Sequence, residues 1–293
     1  MDIRFYGVRG SCPCCSAANR RYGGNTACVV LETPGEPPLL LDLGTGLRVF
    51  GESQPTDGSF RASALVTHLH WDHVQGLPFF PPVDRPGACL DVYGPTHPEG
   101  SLERVVGDLM RPPYFPLRIA ELRGVIRFHD VTDEDLTIGT AAVRVRRVPH
   151  TGPTVGYRVD WGGVVVTYVS DHQAPADVGA IDLGGIDPGV LELAEGADVL
   201  IHDAQYTPEE FAAKAHWGHC TVDFAVEVAR RAGVGTLVLF HHDPAHDDDR
   251  LDDLLAEARR ASGPTGPEVI AAYEGLHLRR PNRAKAAQRG KSA

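Results

Sequence analysis

No apolar run in this chain approaches the ~20 residues a helix needs to cross a bilayer, so a membrane-spanning protein is not expected. The opening "MDIRFYGVRG" lacks a basic segment followed by a long apolar core. A secretory signal is therefore excluded from the reading, and a cytoplasmic protein is expected. Basic charge is also scarce: a net charge of −11 offers no broad cationic surface for gripping long nucleic acids. The exception is the tail, residues 281–293, which reads as a basic, apolar-poor, disordered terminus, with a nucleic-acid arm as the alternative.

Disulfides are not expected from the six cysteines, because nothing directs the chain to an oxidising compartment. Cys12, Cys14 and Cys15 crowd into "GSCPCCSAANRRYGG". A closed structural zinc needs four ligands, and no fourth stands nearby, so free thiols in a loop are the expectation. There is no repeat of fixed period and no long linker, so residues 1–280 read as one domain with ample core.

What the chain does have is short apolar, β-rich runs closed by Gly, Asp or Pro. These are "DIRFYGV", "ACVVLET", "PLLLDLG" and "SALVTH" in the first half, and "AAVRVRRVPH", "VGYRVDWGGVVVTYVSD", "ADVLIHDA", "TLVLFHH" and "EVIAAYEG" in the second. Helical spacing marks "EGSLERVVGDLM", which "RPPYFP" ends, then "TVDFAVEVARRAGV" and "DDDRLDDLLAEARRASG". Both halves share a strand-then-helix order, which favours two sheets packed face to face with helices outside.

The densest chemistry lies in "VTHLHWDHVQG", where His68, His70, Asp72 and His73 directly follow an apolar strand. Imidazole and carboxylate at that spacing suit divalent transition metals. His68 and His70 share one face of an extended segment. Asp72 and His73 lie where the chain turns into a short helix stopped by Gly76 and Pro78, so the two pairs suit two adjacent ions. Other ligand types also sit at strand ends: His150 after "RRVP", Asp171 after "TYVS" and His241 after "LVLF". His242 competes with His241, and the choice stays open at this stage.

These positions, with Asp42 in "LLLDLGTG", resemble in identity and order the metallo-β-lactamase fold superfamily of hydrolases, over the chain to about Gly275. The resemblance implies a four-layer αββα sandwich of two mixed sheets with helices outside, and a homodimer. It implies two zinc ions per chain, with manganese or iron as other possibilities for the site. His68, His70 and His150 would hold one ion and Asp72, His73 and His241 the other, with Asp171 bridging. Asp42 would orient a ligand histidine. Two such ions lower the pKa of a shared water towards ~7, giving a hydroxide nucleophile. Oxygen-reducing relatives of this fold carry H-x-E-x-D; His70 at the glutamate place and the lack of a flavin-domain sequence speak against redox chemistry.

"LIHDAQY" and "WGHCTVDF" resemble the H-E-A-T and H-S-T motifs of the ribonuclease Z-like phosphodiesterase branch. By position, Asp203 and His219 would together protonate the leaving oxygen, giving Asp72, His219 and Asp203 as the expected catalytic set. The chain departs from that pattern with Asp203 for Glu and Cys220 for Ser. In ribonuclease Z a tRNA-gripping arm is inserted between the third histidine and the bridging aspartate. Here that interval is a strand, a turn and a strand, with no room for an arm. "GVRGS" and "RYGGNT" resemble a subgroup of small phosphodiesterases that includes enzymes of cyclic nucleotides. The expected substrate is therefore a small phosphodiester of cyclic nucleotide type, with no membrane partner and long nucleic acid not expected. Asn25 or Arg9 could reach the substrate, or serve only the turn. Tyr114 and Phe115 could stack on a base, or pack as a lid. The alternatives are a thioester, lactone or carboxyl-ester hydrolase of the same fold, or a metal-bound sensor without turnover.

Overall fold

The computed structural model describes residues 1–175 and 185–281. Six strands come first: β1 (Asp2–Gly7), β2 (Cys28–Glu32), β3 (Leu39–Leu41), β4 (Arg61–Leu65), β5 (Cys89–Pro95) and β6 (Val125–Val131). Then follow β7 (Glu134–Ile138), β8 (Ala141–Arg147), β9 (Val155–Trp161), β10 (Val164–Val169), β11 (Val199–Asp203), β12 (Thr236–Phe240) and β13 (Glu268–Ala271). The last strand, β14 (His277–Arg279), returns to pair with β1. Two seven-stranded sheets result, in the orders β14-β1-β2-β3-β4-β5-β6 and β13-β12-β11-β10-β9-β8-β7. Both are mixed: β3 to β6 and β10 to β13 run parallel, while β1–β2–β3 and β7 to β10 run antiparallel.

Side-chain alternation sets the faces. In β8, Ala141, Val143 and Val145 turn inward, while Arg146 turns out to meet Glu192. β11 and β12 are buried at every position, as parallel strands covered on both faces must be. Ile3, Leu31 and Leu41 of the first sheet interlock with Val143, Tyr157, Val238 and Phe240 of the second in one core. Each such side chain contributes roughly 1.5–3 kcal/mol by leaving water.

The helices are α1 (Gly46–Gly51), α2 (Trp71–Val74), α3 (Leu102–Leu109), α4 (Pro188–Ala194), α5 (Pro208–Lys214), α6 (Val222–Arg231) and α7 (Asp248–Ser262). Leu47 and Phe50 of α1 and Leu102 and Val106 of α3 cover the outer face of the first sheet. Val190 of α4, Ala225 and Val228 of α6, and Leu251 and Leu254 of α7 cover the second. Helix, sheet, sheet, helix is the layer order expected from the sequence. α6 starts where the Thr221 hydroxyl accepts from the Phe224 amide, and α7 where Asp247 accepts from Arg250. No described helix is long and apolar enough to cross a membrane.

Strands β5, β6, β7 and β14 were not expected. β6 and β7 are largely exposed, so they carry little of the apolar signal that marked the other strands. The basic tail, beyond Pro281, lies outside the described residues. At one end of the sandwich the second sheet is tied to the loops of the first. Tyr157 donates its hydroxyl to the Val66 carbonyl (2.7 Å), the Val155 amide donates to Thr67 (3.0 Å), and Tyr168 donates to Asp42 (2.8 Å). That end carries the site.

Candidate metal centre

The ligand-type side chains leave the sheets where β4, β8, β10 and β12 end. Beyond β4 the chain runs extended through His68 to His70 and then turns into α2, a single turn that buries Asp72 and His73. The opposite placement of the two pairs follows from that change of backbone. Ligand atoms of His68, His70 and His150 lie within 4.8 Å of one another, and so do those of Asp72, His73 and His241. His68, His73 and Asp171 form a third such group, which shares His68 with the first and His73 with the second. His68 Nε2 to His70 Nδ1 is 2.9 Å, His150 Nε2 to His70 Nδ1 is 3.2 Å, and His241 Nε2 to Asp72 Oδ2 is 3.0 Å. Asp171 Oδ1 stands 3.2 Å from His73 Nε2, and its Oδ2 3.5 Å from His241 Nε2 and 3.8 Å from His150 Nε2.

The outer nitrogens of these rings are held. His73 Nδ1 donates to Asp42 (2.7 Å), His241 Nδ1 to the Gln205 side-chain carbonyl (2.7 Å) and His150 Nδ1 to the Gly218 backbone carbonyl (2.6 Å). The Thr67 hydroxyl lies 3.1 Å from His68 Nδ1 and also bonds Asp42. In these four rings the Nδ1 side faces outward, so four Nε2 atoms, together with His70 Nδ1, face one another and two buried carboxylates. Asp171 Oδ1 is buried with no hydrogen-bond partner. The donor set therefore fits divalent cations of the N/O-binding class, with Asp171 positioned to reach both groups.

Electrostatics points the same way. Burial holds His68, His70 and His150 below the usual histidine range, as neutral ligands require. For Asp72, burial would favour the neutral acid, but His73 and His241 overcome it and keep the carboxyl far below its ordinary range. At His73, burial is outweighed by Asp72, Asp171 and Asp42, which raise its pKa well above normal. The field that draws a proton there would equally draw a cation.

Three non-glycine residues at the site adopt left-handed backbone, Ser11 at φ +61°, Asp42 at φ +59° and His241 at φ +58°. Such conformations cost on the order of 1–3 kcal/mol. Asp42 is held by His73, Tyr168 and Thr67, and His241 by Gln205. His242, the competing histidine, turns away and donates to the Ala272 carbonyl at 2.9 Å. Burial pushes its pKa down to about 3. The structure thus brings His241, and not His242, into the cluster.

Behind the ligands lies the expected acid pair. Asp203 is buried at the end of β11 and accepts from His219 Nδ1 at 3.0 Å, from the His172 amide at 3.0 Å and from the Gln205 amide at 3.0 Å. His219 packs 4.9 Å from the His241 ring and 3.6 Å from Asp171 Oδ2. Burial would lower its pKa, but Asp203, Asp171 and Asp72 together raise it above the usual histidine range, which shifts the ring towards its protonated form. The aspartate in place of glutamate reaches His219 because β11 and the loop before α6 lie side by side; the Tyr206 amide donates to the Cys220 carbonyl at 3.1 Å.

Several supports were not foreseen. Gln205, Thr67 and Tyr168 orient ligands, and the Ser11 amide donates to Asp72 Oδ2 at 2.7 Å. Gly218 must be glycine: at φ +96° its carbonyl meets His150, and a Cβ would lie 2.3 Å from His150 Nδ1. Only the loop motif around His219 hinted at it. Arg9, considered for substrate, is fully buried and donates to the carbonyls of Gly23, Asp243 and His246, away from the cluster. Asn25 serves a turn, bonding Glu274 through its amide and side chain, and also lines an outer cleft with Tyr114 and Phe115. The cysteines are free, and none belongs to a group of close metal-ligating side chains among the described residues.

Comparison with known proteins follows this geometry. The family model for the β-lactamase superfamily domain matches residues 42–242, from Asp42 to His242. The ribonuclease Z of Methanopyrus kandleri is 30% identical, over 95% of this chain and 98% of that protein. Its alignment runs over 304 positions, more than the 293 residues here, so that relative carries stretches with no counterpart in this chain. Among solved structures, the short form of human tRNase Z superposes with a TM-score of 0.66 at 21% identity, covering 96% of this chain and 100% of that one. A diphosphatase from the PhnP family superposes with a TM-score of 0.67 at 19% identity, covering 94% of this chain and 96% of that one. Ligand groups, fold and homology agree: this chain belongs to the β-lactamase superfamily and is a ribonuclease Z-like, metal-dependent hydrolase of phosphodiester bonds.

Proposed function

We propose that the chain hydrolyses a small nucleotidyl phosphodiester whose leaving group is an alkoxide. The observation that carries this reading is the buried His219–Asp203 pair beside the ligand groups, with His219 Nδ1 3.0 Å from Asp203 Oδ2. An alkoxide is a poor leaving group unless protonated, and a placed acid contributes typically ~10²–10⁴-fold. Esters with easier leaving groups, such as thioesters and lactones, leave this pair without a task. Cations bound by His68, His70, His150, Asp72, His73, His241 and Asp171 would supply an acidified water and charge neutralisation at phosphorus.

The chain's own residues divide the remaining work. As the new oxygen–phosphorus bond forms and the ester bond breaks, His219 Nε2 gives its proton to the departing oxygen. Asp203 keeps Nδ1 occupied, orients the ring and stabilises the imidazolium. Asp42 holds the His73 ring in place, and Ser11 and Gln205 steady Asp72 and His241. The reading includes two zinc ions per chain, a homodimer and a cytoplasmic setting, all expectations of the sequence and its family likeness.

Small size is favoured by the interval from His150 to Asp171, which holds a short loop at residues 151–154, then β9, a two-residue turn and β10. The net charge of −11 points the same way. A second reading, an RNA phosphodiester, is favoured by the name of the 30% identical relative, ribonuclease Z. The test is chelator-sensitive release of p-nitrophenol from bis(p-nitrophenyl) phosphate, followed by cyclic nucleotides and a precursor tRNA in parallel. Faster turnover of cyclic nucleotides supports the first reading; cleavage of the tRNA precursor alone moves the substrate to RNA. A metal-loaded protein inactive on every phosphodiester would overturn both.

A further inference from the structure

Most aromatic rings of this chain are buried or half-buried, but Trp71, Phe79 and Tyr114 are 59%, 61% and 71% exposed; Trp217 and Tyr273, at 54% and 42%, lie elsewhere. The three most exposed rings are not scattered. With Phe115 they line one cleft of about 430 Å³ beside α2, the turn that carries Asp72 and His73. Trp71 directly precedes Asp72. Pro13, on the same cleft, stands two residues after Ser11, whose amide holds Asp72. Phe79 and Phe115 meet edge to face at 5.8 Å, an arrangement that leaves ring faces uncovered. Arg48 brings a guanidinium to the cleft, and Asn25, whose side-chain amide donates to Glu274, keeps its carbonyl oxygen for a donor.

We propose that this cleft binds the nucleobase of the substrate, stacked on Trp71 and Tyr114, while its phosphoryl group lies at the neighbouring ligand cluster. The inference rests on the phosphodiesterase reading and adds a substrate class to it. A volume of this size accepts a nucleoside. Exposed ring faces bind any planar heterocycle, with about 1–3 kcal/mol per stacked base, and the polar rim suits a base edge better than it suits a purely apolar ligand. The position, one residue from a ligand aspartate, ties base and phosphate into one molecule.

The test uses the full-length metal-loaded protein, with adenosine 5′-monophosphate and ribose 5-phosphate as probes in equilibrium dialysis and tryptophan fluorescence. The nucleotide should bind about tenfold or more tightly than the sugar phosphate and quench fluorescence. Trp71→Leu should abolish most of the quenching and bring nucleotide affinity down to that of ribose 5-phosphate, whose binding is unchanged. Tyr114→Ser, at a more exposed position, should weaken nucleotide binding in the same direction. Turnover gives a second readout: Trp71→Leu should raise KM for a nucleoside cyclic phosphate about tenfold and leave glycerol cyclic phosphate unaffected. Equal wild-type affinity for the two probes overturns the base site even if phosphodiesters are hydrolysed. Nucleotide-selective binding without hydrolysis of any phosphodiester keeps the base site and removes the catalytic reading. If Trp71→Leu instead turns a dimer into a monomer with nucleotide affinity intact, the cleft is a self-association face and the proposal falls.

Discussion

The two sheets furnish the site in different ways. The first hands over His68, His70, Asp72 and His73 from one stretch of six residues, shaped by a strand end and a single helical turn. The second hands over His150, Asp171, Asp203 and His241 from the ends of four strands, and His219 from the loop before α6. In the first case local backbone places the ligands. In the second, strand order does, helped by side chains that touch no substrate. The lesson is that the second sheet's contribution depends on remote packing and should fail in parts, whereas the first sheet's should fail together.

The largest expected effect separates acid from ligand. His219→Ala should lower turnover of an alkyl-leaving phosphodiester by ~10²–10⁴-fold while sparing an activated aryl ester and the bound metal. Equal losses on both substrates would count against the acid role. Metal stoichiometry then sharpens the comparison between sheets. His73 and His150 each belong to two groups of close ligand-type side chains, but only for His73 do both include other residues of the first-sheet motif. On the proposed two-ion reading, His73→Ala should deplete both ions in elemental analysis, and His150→Ala about one. Loss of a single ion from both variants would erase the distinction.

Smaller effects should come from the supports. Asp42→Asn weakens the hold on His73 and should cost ~10–100-fold in metal affinity, measured by chelator competition. Gly218→Ala forces a Cβ against His150 Nδ1, so its effect on affinity should fall within the same range. Smallest is Cys220→Ser. The Cys220 thiol is fully buried, and burial keeps its pKa well above normal, so it serves as no nucleophile. It donates to the Asp203 carbonyl at 3.1 Å, a bond serine can also make, so activity should change by no more than about threefold.

The motif at His68 to His73 was legible because ligand spacing within one turn is set by backbone period alone. Strands β8 to β12 were legible for the same reason, since their apolar runs are covered on one or both faces. β6 and β7 were not, because largely exposed strands show weak apolar contrast. His241 and His242 were indistinguishable as letters. A left-handed turn at His241 and the bond from His242 to Ala272 separate them, and both need the neighbouring strand to exist.

By itself, then, the sequence determined the sheet-and-helix grammar, the local ligand motif and the order of the candidate ligands, all properties of residues close along the chain. Tertiary structure alone decided which histidine of a pair turns inward and that Gln205, Thr67 and Gly218 aim the rings. It also decided that Arg9 is a buried carbonyl anchor and that Trp71, Phe79 and Tyr114 share a cleft. The physical reason is one of range. Periodicity and charge act over a turn or two, whereas a hydrogen bond such as His150 to Gly218 joins residues 68 positions apart and forms only once the distant elements of the second sheet have come together.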